Sequence, residues 1–321
     1  MTGLQTAEGT RATRARVPRP PRHRPDALHR AQARLGWLFS APALFVIGAV
    51  TVFPVVFSVV LSLSHVNVLG SGFRIDGFTL DNYGTIFTAP VWQYALVFTV
   101  GYTVITVAVE LVLGTLIALV LERLEVFRGW MMAILLIPWS LITVISATLW
   151  GYIYDPTNGI ADAIFQSLGL GSPVILGTPA SSIVAMMIAD VWKTTPFVAI
   201  IVLAGLVMLP RDVYEAAEMD GCTGWQTFWR ITVPLLRPTI ALAVLFRVLQ
   251  AFGVFDLPFV LTQGGPQNAT TSLAILGYQV MFSDLKFGAG AAVATTTAAL
   301  VVIGCLLFLR VVRAQVSETE D

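Results

Sequence analysis

Residues 214–238, YEAAEMDGCTGWQTFWRITVPLLRP, decide how this chain is read, because a polar amphipathic stretch here separates two long hydrophobic runs. Pro210 ends the run before it. Asp212 is placed to cap a new helix and Glu215, three residues on, to complete a reciprocal capping box. Gly221 supplies a C-cap, and Thr223 with Gln226 repeats the capping pattern for a second short helix. Trp225, Phe228, Trp229 and Thr232 recur along that helix at helical spacing until Pro234, where it is expected to stop. A helix, a glycine and a second helix thus lie where hydrophobicity lapses, as either a docking element at a membrane surface or an ordinary interfacial connector.

Working outward, 56% of the residues are hydrophobic, 12% are charged and the mean hydropathy is +0.79, which excludes a soluble globular domain. A bilayer crossing needs about 20 apolar residues. Six stretches qualify, at 35–63, 95–121, 130–153, 183–209, 238–261 and 288–312, so the expected fold class is an all-α integral membrane protein with six transmembrane helices. Fifteen basic residues fall on one side of these spans: eight arginines before residue 35, then Arg123, Arg128, Arg211, Arg230, Arg237, Arg310 and Arg313. The other side holds Arg74 and Lys286, so the positive-inside rule places both termini and the loop at 211–237 in the cytoplasm. The first run is too long for a signal-peptide core and is expected to remain as an uncleaved anchor. Residues 1–34, with prolines among the arginines, are expected to form a disordered basic tail, either drawn to anionic membrane lipid or acting as a passive orientation signal. Residues 35–313 form the six-span domain and 314–321 a short cytoplasmic tail.

Cys222 and Cys305 fall in a loop and a span, and His23, His29 and His65 lack ligand spacing, so neither a disulfide nor a metal site is expected. The chain's two lysines, Lys193 and Lys286, follow Trp192 and Leu285, which rules out a phosphate-binding Gly-Lys-Ser/Thr loop. No nucleophile elbow, zinc-helix motif or dinucleotide fingerprint occurs. No catalytic residue, cofactor or nucleic-acid contact is expected, and any ATP used in transport would be bound by another protein.

Five charged residues lie within the apolar runs: Glu110, Asp190, Lys193, Arg247 and Asp256. Each costs about 2.5–3.5 kcal/mol at mid-bilayer unless it faces a cavity or a partner. Asp190, Lys193 and Thr194 share one helical face, as a self-neutralising ion pair, a lining of a solute path, or both. Thr99, Thr103, Thr106 and Glu110 form a polar stripe of the kind that usually hydrogen-bonds helices together. Arg247 and Gln250 share a face of the fifth span, whereas Asp256 lies on the opposite one, just before Pro258, and is placed either to touch solute or to cap and hinge the helix end. Trp139, Trp150, Tyr152, Tyr154, Trp192 and Phe197 offer flat rings to a sugar's C–H faces, or form an interfacial belt. Asp190, Lys193, Thr194, Gln250, Asp256 and Trp139 are the substrate-path candidates.

The set Glu215-Ala216-Ala217, Asp220-Gly221, Phe228 and Pro234-Leu235-Leu236 resembles the EAA loop of permease subunits in binding-protein-dependent ABC importers. Ile137-Pro138-Trp139, residues 190–197 (DVWKTTPF), Phe255-Asp256 and residues 260–266 (VLTQGGP) are similar to the carbohydrate branch related to the maltose-transporter permease, with the trehalose/maltose-type actinobacterial permeases nearest in look. The resemblance covers residues 35–313. It implies the type I importer permease fold and a multi-pass place in the bacterial cell membrane. It implies ATPase coupling through Glu215, Ala216, Ala217, Asp220, Gly221, Phe228 and Pro234. The implied partners are a second homologous permease subunit, an ATPase subunit dimer and an extracytoplasmic sugar-binding protein. The loop at 64–93 is too short for the extra domain of the maltose permease itself. Three alternatives stay open: a proton-coupled secondary transporter using Glu110 or Asp190, an importer subunit for glycerol phosphate or another polyol, and a receptor-like membrane scaffold without transport.

Overall fold

The computed structural model describes residues 27–69, 72–124 and 126–317. The chain divides into a unit at 1–55 and a unit at 56–321. The expectations for residues 1–26 and 318–321 lie outside the described residues. Within the first unit, helix α1 (Ala27–Ile47) is followed by a wide π turn, Gly48–Val52, closed by the Phe53 amide on the Gly48 carbonyl. Helix therefore begins inside the stretch expected to be a disordered tail: after Pro25 the run at 27–34, ALHRAQAR, consists mostly of strong helix formers. At the other end α14, described below, continues through Ser317, so residues 314–317 prolong a helix where a separate tail was expected.

α2 (Phe53–Ser62) leads into an antiparallel hairpin, β1 (Ser64–Leu69) and β2 (Gly72–Phe78), with Val66 opposite Ile75 and Asn67 opposite Arg74. No strand is legible in the sequence there. Its short alternating stretches were hidden between strong apolar signals. α3 (Asp81–Thr88) is tied beneath the hairpin by Asn82, whose amide donates to the Ser62 and Ser64 carbonyls, both at 3.0 Å.

The centre of the second unit is α4 (Pro90–Arg123) packed against α8 (Pro179–Val207) and α11 (Val233–Phe252). Glycines bring these helices together. A Cβ on Gly114 would lie 2.8 Å from Val198 Cγ1, and one on Gly205 would lie 2.7 Å from Thr239 Oγ1. Around these approaches Ala118, Leu121, Val202, Leu203, Leu236 and Ala243 form a buried cluster, as expected where small residues allow helices in lipid to touch.

The third span is not a straight crossing. α5 (Arg128–Ser140) and α6 (Thr143–Ile153) meet at an 88° bend. Pro138 removes one ladder hydrogen bond, and Leu141 and Ile142 then take extended backbone. Five helices among the described residues are long and apolar enough to cross a bilayer, or six with the bent pair counted as one. α7 (Ile160–Ser167) follows the bend. α9 (Arg211–Met219) and α10 (Gly224–Thr227) occupy the segment read first in the sequence.

Helix does not stop at Pro234. α10 runs through a second π turn, Phe228–Thr232, straight into α11. The wide turn shifts the hydrogen-bond ladder by one residue and makes room for the proline ring, as the first π turn does just before Pro54. α11 then ends at Phe252, short of the expected 261, and α12 (Asp256–Leu261) begins at Asp256, so that residue stands at a helix break. α13 (Leu273–Tyr278), a third π turn (Gln279–Ser283) and α14 (Phe287–Ser317) complete the unit.

Candidate functional site

Two sites emerge, one inside the spans and one at a helix end. Inside the spans, α4 supplies Glu110, α8 supplies Asp190 and Thr194, and α11 supplies Arg247 and Gln250. Glu110 is 0% exposed and Arg247 2%. Glu110 Oε1 accepts from Arg247 Nη2 at 2.7 Å and from the Thr194 hydroxyl at 2.6 Å, while Arg247 Nε bonds the other carboxylate oxygen. Nη2 also reaches Asp190 Oδ2 at 3.2 Å, and Nη1 donates to the Gln250 side-chain oxygen at 3.1 Å. One guanidinium therefore ties three helices together, and its planar fork suits two carboxylates as a lysine's point charge would not. Charges this deep in a span are sustained by such mutual satisfaction.

The internal Asp190–Lys193 ion pair is not formed. Asp190 turns to Arg247 instead, because α11 brings a buried guanidinium against it; Lys193 has no carboxylate within 4 Å among the described residues. Lys193 is half-buried and lies within electrostatic reach of Asp190, Arg247 and Asp256. Gln250 and Asp256 are exposed, so Asp190, Lys193, Gln250 and Asp256 form an accessible polar rim above the buried Glu110–Arg247 root. Trp139 is not brought into this group. It stacks on Phe197 at 5.6 Å between ring centroids, and Phe197 meets Phe246 edge-on.

Glu110 and Arg247 stood among the embedded charges in the sequence but not among the path candidates. Neither has an opposite charge one helical turn away, which is itself the signal that a buried charge must find its partner on another helix. Of the threonine stripe, Thr99 joins helices by accepting from the Leu273 amide at 3.0 Å, whereas Thr103 and Thr106 bond carbonyls of their own helix. Tyr102, on α4 beside this stripe, is buried with its hydroxyl beside the Asp190 carboxylate.

The second site is the segment from α9 to α10. Pro210 holds the N-cap position and no side chain caps α9, so Asp212 and Glu215 do not form the expected capping box. Asp212 sits inside the first turn instead, where an acidic side chain favours the helix dipole. The other end is as the sequence indicated. Gly221 has φ +73°, its amide bonds the Glu218 carbonyl at 3.0 Å, and the Cys222 amide bonds Ala217 at 3.0 Å, giving a Schellman motif. Thr223 and Gln226 form the reciprocal capping box of α10. Ala217 is buried, and Tyr214 reaches the Thr232 hydroxyl at 3.2 Å, bracing α9 against the π turn.

The outward face of this segment is acidic and aromatic. Glu215, Glu218 and Asp220 are exposed and make no ion pair among the described residues. Met219 is 88% exposed and Trp225 72%, with Trp229 packed edge-on against Trp225. Between this segment and the end of α4 lies a hollow of about 530 Å³ lined by Arg123, Arg128, Arg211 and Trp225. Arg128 is engaged there, its Nε donating to the Leu121 and Leu124 carbonyls and closing the C-terminus of α4.

Residues 110–318 match the profile of the family described as "Binding-protein-dependent transport system inner membrane component". Over 282 residues the chain is 37% identical to the trehalose/maltose transport system permease protein MalF of Thermococcus litoralis, spanning 88% of this chain and 95% of that protein. It is 35% identical to the trehalose transport system permease protein SugA of Mycobacterium tuberculosis, spanning 87% and 89%. It is 33% identical to the sulfoquinovosyl glycerol transport system permease protein SmoG of Agrobacterium fabrum, spanning 88% and 91%. A chain from the crystal structure of a bacterial alginate ABC transporter, in complex with alginate pentasaccharide-bound periplasmic protein, superposes with a TM-score of 0.77 over 89% of this chain and 96% of that one. At 19% identity that likeness is one of fold.

Proposed function

The chain belongs to the family of binding-protein-dependent transport system inner membrane components, and on that premise we propose that it is a permease subunit of an ATP-driven importer for a di- or oligosaccharide of the trehalose or maltose kind. The observation that carries the ATP-driven part is the α9–α10 segment, an acidic helix and an exposed aromatic face held between two spans, whose carboxylates make no ion pair among the described residues. Charge pairing plus apolar insertion is what a protein partner would use there. We assign that partner as a separate ATPase dimer, contacted through Glu215, Ala216, Ala217, Asp220, Gly221, Phe228 and Pro234. This chain then needs no ATP site or cofactor of its own. A second, homologous permease supplies the other half of the pathway, and an extracytoplasmic binding protein delivers the cargo. Both termini and the docking segment face the cytoplasm, in keeping with the arginine distribution.

The sugar assignment draws on the three relatives named above, each of which carries a sugar in its name. Asp190, Lys193, Gln250 and Asp256 are the groups on this chain offered to hydroxyls along the path. A proton-coupled mechanism would need Glu110 or Asp190 free to load a proton, and both are held by Arg247. The test is uptake of a labelled disaccharide by cells with and without this chain. Uptake abolished by ATP depletion but retained after a protonophore supports the importer. Uptake by this chain alone that collapses with the proton gradient contradicts it.

A further inference from the structure

Asp190 stands between two cations on unequal terms. Its contact with Arg247 is one-armed and 3.2 Å long, and its side chain is 13% exposed. Glu110 holds the same guanidinium with both oxygens and is fully buried. Glu110 is thus the anchor of Arg247, and Asp190 the partner that can let go. Lys193 waits three residues along the same face of α8, without an ion pair among the described residues.

Arg247 also rides on the element that would be moved. From Gly224 the chain is helical without interruption through the π turn to Phe252, so a displacement of the docking segment passes along one rod to Arg247. A helix rises 1.5 Å per residue, which places Arg247 about 35 Å from the start of that rod. A shift of one or two ångströms parts a single 3.2 Å contact before it parts a two-armed one. A partly buried carboxylate left alone is costly, so the switched state must offer Asp190 another cation.

We propose that Asp190 exchanges Arg247 for Lys193 when α11 is driven by the docking segment, which makes Lys193 a positioning residue of the transport cycle. The exchange rests on the reading of the chain as an ATP-driven permease. It keeps Asp190 paired in both states and turns a small helix shift into two discrete arrangements of the polar rim. Tyr102, buried with its hydroxyl beside the Asp190 carboxylate, can donate to that carboxylate as it moves.

The test uses the complete transporter in lipid vesicles with its binding protein. Spin labels at Ile188→Cys on α8 and Leu249→Cys on α11, both exposed positions, report the distance between the helices in a background of Cys222→Ser and Cys305→Ser. In the parent, trapping with ATP and vanadate shifts that distance. Lys193→Met is expected to hold the labels at the resting distance and to lower uptake by about tenfold or more, with Lys193→Arg restoring both. A normal distance shift in Lys193→Met overturns the exchange, and so does a raised KM at unchanged maximal rate, which marks a simple solute contact. Failure of the ATPases to assemble with the parent chain sinks the functional reading instead, and the exchange with it.

Discussion

Arg247 is where the buried polar chemistry of the spans converges, and its carboxylate partners lie 137 and 57 residues earlier in the chain. Local spacing favoured a different pairing: Asp190 and Lys193 are three apart on one helix, a relation any helical reading shows at once. A contact across 57 residues leaves no periodicity to read. What was legible was the need for a partner, since Glu110 and Arg247 each sit in an apolar run without an opposite charge one turn away. The energetic consequence is direct. Removing one member of the buried pair, by Glu110→Ala or Arg247→Met, should destabilise the folded protein by about 3–5 kcal/mol, whereas the double change Glu110→Leu/Arg247→Met should recover much of that. Thermal unfolding of purified variants measures this; a double variant as poor as the two losses added would show that the carboxylate and guanidinium act independently.

Among the helices, existence was easier to read than continuity. The docking segment's cap signals were explicit: Gly221 takes the left-handed conformation and Thr223–Gln226 close their box. Prolines misled, because a proline ends an ordinary helix only where the ladder cannot adjust. At Pro234 a π turn adjusts it and helix runs on. At Pro196 helix also runs on inside α8, and in the third span α5 passes Pro138 to Ser140 before the 88° bend at 141–142. The fit of α4 on α8 was likewise invisible, since a glycine in an apolar run gives no sign of what it faces. Gly114→Ala places a methyl 2.8 Å from Val198 Cγ1 and 3.0 Å from the Ala199 amide, so it should cost about 1–3 kcal/mol. Adding Val198→Ala should return part of that loss, the remaining backbone contact limiting the recovery. If Gly114→Ala unfolds at the parent's temperature, the close approach of these helices is not what packs them.

Taken whole, the molecule is incomplete on its own surface. α4 turns Val97, Val104, Val112 and Val120 outward, as a helix does when lipid or a second subunit covers it, and the docking segment presents exposed rings and acid groups that make no ion pair among the described residues. The proposed orientation can be checked independently of function. Cys222, beside Gly221, should react with a membrane-impermeant thiol reagent only when the cytoplasmic face is opened, and labelling in intact cells would invert the topology. The claim on which the rest depends is that the docking segment transmits ATPase work. Its most direct measurement is ATP hydrolysis, stimulated by the sugar-loaded binding protein, in the reconstituted complex carrying Gly221→Pro or Glu215→Lys. The expected result is normal membrane insertion with ATPase copurification or stimulated hydrolysis lost, because the first change destroys the φ +73° cap and the second reverses an exposed charge on the outward face. Full copurification together with full stimulation and uptake in both variants would contradict it.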